Sequence, residues 1–166
     1  MGKYNDGSLA ARRELAARLY AGMKAASAAT QLRPAGRLAS RTAPLTLPPR
    51  APSKPFEDIS DPTLRYRTAI THAFARRKQP LEVTSVDLGG VRILHLPGEP
   101  LLEFQLFAQR LLPAEFVAVS GYGDISPGYL CPDRAFEEGG YEPSASNHLP
   151  GGESLVKEAI RRVLGA

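Results

Sequence analysis

A mixed α/β fold, one sheet with flanking helices, is what this sequence predicts, and three observations carry the prediction. Apolar residues recur at helical spacing around residues 15–26, 66–74 and 155–164. Short strand-like apolar runs lie between them at 81–88, 91–96 and 116–119. Gly and Pro clusters separate one run from the next, so strands and helices alternate and functional loops should collect at strand ends.

The elements follow in order. Asp6-Gly7-Ser8 offers an N-cap for a helix whose Leu15, Leu19, Met23 and Ala26 fall on one face and which runs to about Thr30. Residues 37–47 suit an extended strand. Pro44, Pro48, Pro49, Pro52 and Pro55 forbid helix there and favour an edge strand or a polyproline-like arm. Leu38, Leu45 and Leu47 argue for an arm laid across the fold rather than a free linker. Asp61-Pro62 supplies a cap with Pro at the first helical position, and Tyr66, Ile70, Ala73 and Phe74 mark a helix ending near Lys78. Gly89-Gly90 joins the runs 81–88 and 91–96 as a tight hairpin. Pro97-Gly98-Glu99-Pro100 ends the second strand, and Leu101, Leu102, Gln105, Leu106, Gln109 and Arg110 read as a helix beginning there. Residues 116–119 read as a buried strand, and a glycine-rich loop follows from 121 to 128. The chain closes on a helix carrying Leu155, Val156, Ala159, Ile160, Val163 and Leu164 and stopping at Gly165.

A chain of 166 residues with 43% hydrophobic and 23% charged side chains is enough for one globular unit, and 15 Gly with 15 Pro imply many ordered loops. We read residues 1–166 as a single domain: a helical segment at 1–31, a Pro-rich arm at 32–60 and an α/β region at 61–166. Cys131 is the only cysteine, which excludes an internal disulfide and a cysteine-rich metal site. No apolar stretch approaches the roughly 20 residues of a membrane span, and the N-terminus lacks the apolar core of a signal peptide. The sequence therefore predicts neither a transmembrane segment nor a targeting signal. The net charge of +4 is dispersed as Arg12-Arg13, Arg76-Arg77-Lys78 and Arg161-Arg162 on separate amphipathic segments. That is the pattern of solvated helix faces rather than a nucleic-acid stripe.

Two segments put polar groups directly after an apolar strand in a constrained turn: 94–99, and 122–129. Glu99 is expected at a helix N-terminus, where the helix dipole favours its ionised form. Metal ligation and simple capping both fit it. Tyr129 and Tyr141 flank a short Pro-initiated helical turn and a Gly-Gly break, so the two phenols can face one pocket or pack separately at the core edge. Asp124 fits an acceptor that orients a metal ligand, or a turn residue. His95, on the strand leading to Glu99, fits a structural role or a substitute metal ligand. His72 lies in a helix, and His148 in a Pro-flanked loop.

Pro97-Gly98-Glu99 after a strand, followed beyond a glycine-rich loop by Tyr129, eleven residues and Tyr141-Glu142, resembles the second half of the neutral/alkaline ceramidase catalytic domain. The resemblance extends over residues 94–146. Upstream, Gly2-Lys3-Tyr4-Asn5-Asp6-Gly7 and Leu45-Thr46-Leu47-Pro48-Pro49-Arg50 look like segments of bacterial ceramidase-like proteins. The resemblance implies an incomplete half of a larger α/β zinc hydrolase domain, in which two histidines, a glutamate and a tyrosine hold the metal and a metal-activated water attacks an N-acyl amide or sphingolipid-like substrate. Glu99 and Tyr129 match the glutamate and tyrosine metal ligands, and Tyr141 matches the tyrosine that hydrogen-bonds the amide oxygen. Both histidine ligands, with a helper serine and arginine, would lie before Met1, so this chain alone should be inactive and its partner should be the missing upstream half. Members of such a family are commonly exported, and the exporting segment would also lie upstream. The alternative from a different class is a stand-alone, non-catalytic α/β module for binding or assembly.

Overall fold

The structure, a computed structural model, describes residues 6–32, 34, 36–51, 55–124 and 127–166. Residues 2–5 of the upstream resemblance, and Pro52, lie outside the described residues. Two compact units divide the chain, Met1–Pro34 and Ala35–Ala166.

The first unit holds helix α1 (Leu9–Ala28), which starts where the sequence placed a cap: Ser8 accepts from the Ala11 N–H. Its expected apolar face is not a buried one. No residue of α1 is buried, and Leu19, Tyr20 and Met23 stand exposed.

In the second unit, strands β1 (Ala39–Leu45), β2 (Leu81–Asp87), β3 (Val91–His95) and β5 (Phe116–Ser120) form a mixed sheet in the order β1-β2-β3-β5. The first two pairings are antiparallel and the β3–β5 pairing is parallel. This is the mixed sheet with flanking helices that the alternation of strand and helix signals predicts. Pro44 is tolerated because β1 is an edge strand, with a free side on which no ladder bond is needed. Gly89 and Gly90 both take positive φ, at 76° and 95°, as the hairpin between β2 and β3 requires. The Asp87 carboxylate accepts the Gly89 N–H and closes that turn.

Alternation along β2 buries Leu81, Val83, Ser85 and Asp87 on one side. Against β1 and β2 packs α6 (Gly152–Leu164), whose Val156, Ala159, Ile160, Val163 and Leu164 repeat every three or four residues and are all buried. Gly165 ends this helix in the left-handed conformation at φ 75°. Helix α3 (Leu102–Leu111) packs on α6 and β5 through Phe104 and Ala108, and Leu94, Leu96 and Leu130 complete the core. Each such side chain withdrawn from water contributes roughly 1.5–3 kcal/mol before entropy is charged against it.

Helix α2 (Pro62–Ala75) begins on the Asp61 cap, whose carboxylate accepts from the Leu64 N–H, and ends three residues before Lys78. Two expectations fail at the surface. Phe116 is 67% exposed, because it opens the outer strand of the sheet and of β5 it is Val117 and Val119 that turn to the core. Leu38 is 78% exposed, so the arm is fastened by Leu45 and Leu47 instead.

Candidate functional site

Glu99 does not sit at a helix start. It lies in the two-residue strand β4 (Glu99–Pro100), paired in parallel with β6 (Tyr129–Leu130), so that Glu99 and Tyr129 are direct register partners. Helix α3 starts only at Leu102, and the acid in its first turn is Glu103. What positions the Glu99 carboxylate is therefore the β4–β6 ladder: its N–H donates to the Gly128 carbonyl at 2.9 Å, and the Leu101 N–H donates to that of Leu130 at 3.0 Å.

The ladder rests on close backbone crossings that only glycine permits. A Cβ on Gly98, at φ 63°, would lie 2.2 Å from the Gly128 carbonyl oxygen. One on Gly128, at φ 66°, would lie 2.6 Å from the Ala145 oxygen. Three chain segments thus stack at van der Waals distance under the site. The loop after β5 is laced to the same floor, with the Tyr122 N–H donating to the Gly98 carbonyl at 2.6 Å and the Gly123 N–H to that of Leu96 at 3.1 Å. Tyr122 takes φ 62°, and among the described residues no other non-glycine has positive φ. A bulky residue held in that region carries strain that the surrounding bonds must offset.

The Glu99 carboxylate acts on the phenols of both Tyr122 and Tyr129. The Tyr122 phenol is pushed above its ordinary range, first by hydrogen bonding with Glu99 and then by desolvation. For Tyr129 desolvation comes first, followed by the negative charge of Glu99. Both phenols are therefore neutral donors at neutral pH. Tyr141, the first residue of α5 (Tyr141–Ser144), sits edge-on to Tyr129 with ring centroids 5.8 Å apart and planes at 78°. Helix α4 (Asp133–Glu138) and the Gly139-Gly140 break lead the chain from one ring to the other. The Arg50 guanidinium donates to the Pro143 and Ser144 carbonyls and so fixes the end of α5.

Glu99, Tyr122, Tyr129 and Tyr141 line one cleft of about 650 Å³, which Leu64, Arg67 and other residues of α2 also line. That volume lies within the range of small-molecule sites. Thr71 ties α2 to the floor, its Oγ1 2.7 Å from the Asn147 Oδ1.

The remaining candidates go elsewhere. Asp124 pairs with Arg77 at 2.9 Å, and its carbonyl accepts the Gly98 N–H, which fits a turn residue. His95 lies on β3 opposite Thr84 and Ser120 and does not line the cleft. His148 is fully buried. Its Nδ1 lies 2.9 Å from the Leu149 carbonyl and its Nε2 accepts the Cys131 N–H at 3.3 Å, which uses both ring nitrogens. Cys131 is buried, and desolvation pushes its thiol up to about 11, so no nucleophilic thiolate forms.

The sequence gives no role to Arg67, marks Tyr122 only as the start of the constrained segment 122–129, and marks Arg50 only as the end of segment 45–50. A Tyr between two glycines is a weak pointer to a constrained loop, whereas the two arginines carry no signal beyond solvated charge.

A tetrahedral zinc needs four donors, commonly with nitrogen or sulfur among them. The cleft offers one carboxylate and phenols, and among the described residues no group of three His, Cys, Asp or Glu can hold a metal. These residues do not by themselves fit a zinc ion. Among the described residues, no helix is long and apolar enough to cross a membrane.

No family model matches the chain, and no curated protein matches it. Solved structures do share its fold. Neutral ceramidase from Pseudomonas aeruginosa superposes with a TM-score of 0.64 at 15% identity, over 96% of this chain and 33% of that one. A ceramidase complexed with C2 superposes with a TM-score of 0.60 at 12% identity, over 93% of this chain and 34% of that one. The chain thus spans about a third of the length of these structures, and at such identities the likeness establishes a ceramidase-like fold.

Proposed function

We propose that this chain forms one wall of the active site of a ceramidase-like amide hydrolase. The observation that supports the reading is the convergence of Glu99, Tyr129 and Tyr141, distant in sequence, on one cleft with apolar surface from Leu64 and Ile70 beside them. In this reading the hydroxyl of Tyr141, an exposed residue of the cleft lining, donates to the oxygen of an N-acyl amide as that oxygen gains negative charge. A donor so placed is worth roughly 3–4 kcal/mol in the transition state. Glu99 and Tyr129 would supply at most two of the four donors of a zinc ion, and the other two would have to come from outside the described residues. The apolar side of the cleft receives the acyl chain of a lipid-like substrate.

The test compares two proteins in hydrolysis of a fluorogenic N-acyl amide with zinc: this chain, and the longest polypeptide that carries it in its own reading frame. We expect chelator-sensitive hydrolysis by the longer protein, and weak zinc binding with no detectable hydrolysis by the chain alone. Absence of hydrolysis in the longer protein, or zinc-dependent hydrolysis that survives replacement of Glu99 and Tyr129, would overturn the reading and favour a binding or assembly module.

A further inference from the structure

The cleft holds more positive charge than an uncharged amide needs. Arg67, on the cleft face of α2, places its guanidinium carbon 5.9 Å from the centroid of the Tyr141 ring. Among the described residues no carboxylate pairs with it. Arg50, also lining the cleft, spends its donors on two backbone carbonyls, which leaves its charge unneutralised. Glu99 is the one carboxylate among the described lining residues, and it already interacts with the phenols of Tyr122 and Tyr129. Two guanidinium groups and one carboxylate therefore line a cleft to which α2 also contributes Leu64, Thr68, Ile70 and Thr71.

Guanidinium is the side chain best matched to a carboxylate, because its planar fork offers parallel N–H donors and its charge is permanent. Its cation–π contact with the Tyr141 ring leaves those donors unused. We propose that the cleft selects N-acyl amides whose amine portion carries a carboxylate, the N-acyl amino acids, with Arg67 pairing to that carboxylate while the acyl chain lies along Leu64 and Ile70. Assignment of the amide to Tyr141 rests on the hydrolase reading above. Recognition of the carboxylate by Arg67 does not.

Equilibrium binding to this chain, measured by NMR titration below the micelle concentration, separates the two. The probes are N-decanoylglycine, N-decanoylethanolamine and decanoate, which differ in the presence of the amide and of the carboxylate. Arg67 is exposed, so its pairing should be worth about a fivefold preference at low salt, shrinking as salt screens it. We expect N-decanoylglycine to bind about fivefold tighter than N-decanoylethanolamine, Arg67→Gln to remove that preference, and Arg67→Lys to keep part of it. Equal binding of the two amides, or a preference untouched by Arg67→Gln, overturns the proposal. If decanoate shows the same Arg67-dependent gain as N-decanoylglycine, the ligand is a free fatty acid and the amino-acid assignment fails. Binding is read without turnover, so a longer protein that hydrolyses no amide would sink the hydrolase reading and leave the binding result intact.

Discussion

Replacing Gly98 with Ala should be among the most damaging single-methyl changes in this protein, and its cost follows from the geometry. The added Cβ would lie 2.2 Å from the Gly128 carbonyl oxygen and 2.8 Å from the Pro127 Cγ. The first distance is more than about 1 Å inside the ~3.5 Å optimum for non-bonded heavy atoms. That carbonyl is also the acceptor for the Glu99 N–H, so relief of the clash moves or breaks the bond that seats Glu99 beside Tyr129. A left-handed backbone costs a non-glycine about 1–2 kcal/mol, overpacking about 1–3 kcal/mol, and the lost bond about 1 kcal/mol. The sum, about 3–6 kcal/mol, is a large part of the roughly 5–15 kcal/mol that holds a typical domain together. Gly139→Ala is the control, since Gly139 has φ 75° and nothing within 4 Å of its would-be Cβ. It should incur only the cost of its own backbone conformation, φ 75° and ψ −166°, about 1–3 kcal/mol. Urea unfolding followed by circular dichroism reads both, and we expect the Gly98→Ala midpoint to fall well below that of Gly139→Ala. Equal midpoints would refute the claim that the crossing of residues 98 and 128 is a close contact.

Other outcomes follow from buried polar groups. Ser85 is 2% exposed, and its Oγ has no hydrogen-bond partner among the described residues, so Ser85→Ala should raise stability by about 1 kcal/mol, read as a higher urea midpoint. His148 has a pKa held below its ordinary value, chiefly by desolvation. The unfolded chain therefore binds a proton first, and stability is lost as pH falls below about 6.5 toward the folded value, with a slope of at most about 1.4 kcal/mol per pH unit. Unfolding midpoints between pH 7.5 and 5 check this, and His148→Gln should flatten that dependence whatever its effect at pH 7.5. Cys131, buried with its thiol pushed up to about 11, should resist a thiol reagent in the folded chain and react promptly in urea. Prompt labelling without denaturant would contradict its placement.

The parts of this fold legible in the sequence are those fixed by local chemistry. Asp61-Pro62 capped a helix, Gly89-Gly90 turned a hairpin, and the three-and-four spacing from Val156 to Leu164 gave the core helix of the sheet. The β4–β6 pair was hidden, because two residues on each side carry no periodicity and their ladder is made by backbone atoms of segments thirty residues apart. For the same reason Glu99 looked like a helix-start acid: the sequence shows Pro-Gly-Glu-Pro before a helical run, and only tertiary pairing moves the helix start to Leu102. Phe116 misled through its chemistry, since an apolar run signals burial only where both faces of a strand are covered. Tyr129 and Tyr141 were placed in order by the resemblance, whereas Tyr122 and Arg67 depend on a positive φ and a helix face that no spacing rule announces.

The central claim, that the residues of this cleft act on one amide, is tested most directly by Tyr141→Phe in the longest protein that carries the chain. Tyr141 is 60% exposed, so loss of its hydroxyl should leave the unfolding midpoint within about 0.5 kcal/mol of wild type. We expect kcat for N-acyl amide hydrolysis to fall about 100- to 1,000-fold with KM little changed, as for a donor that strengthens only in the transition state. An unchanged kcat in a well-folded Tyr141→Phe protein would contradict the claim.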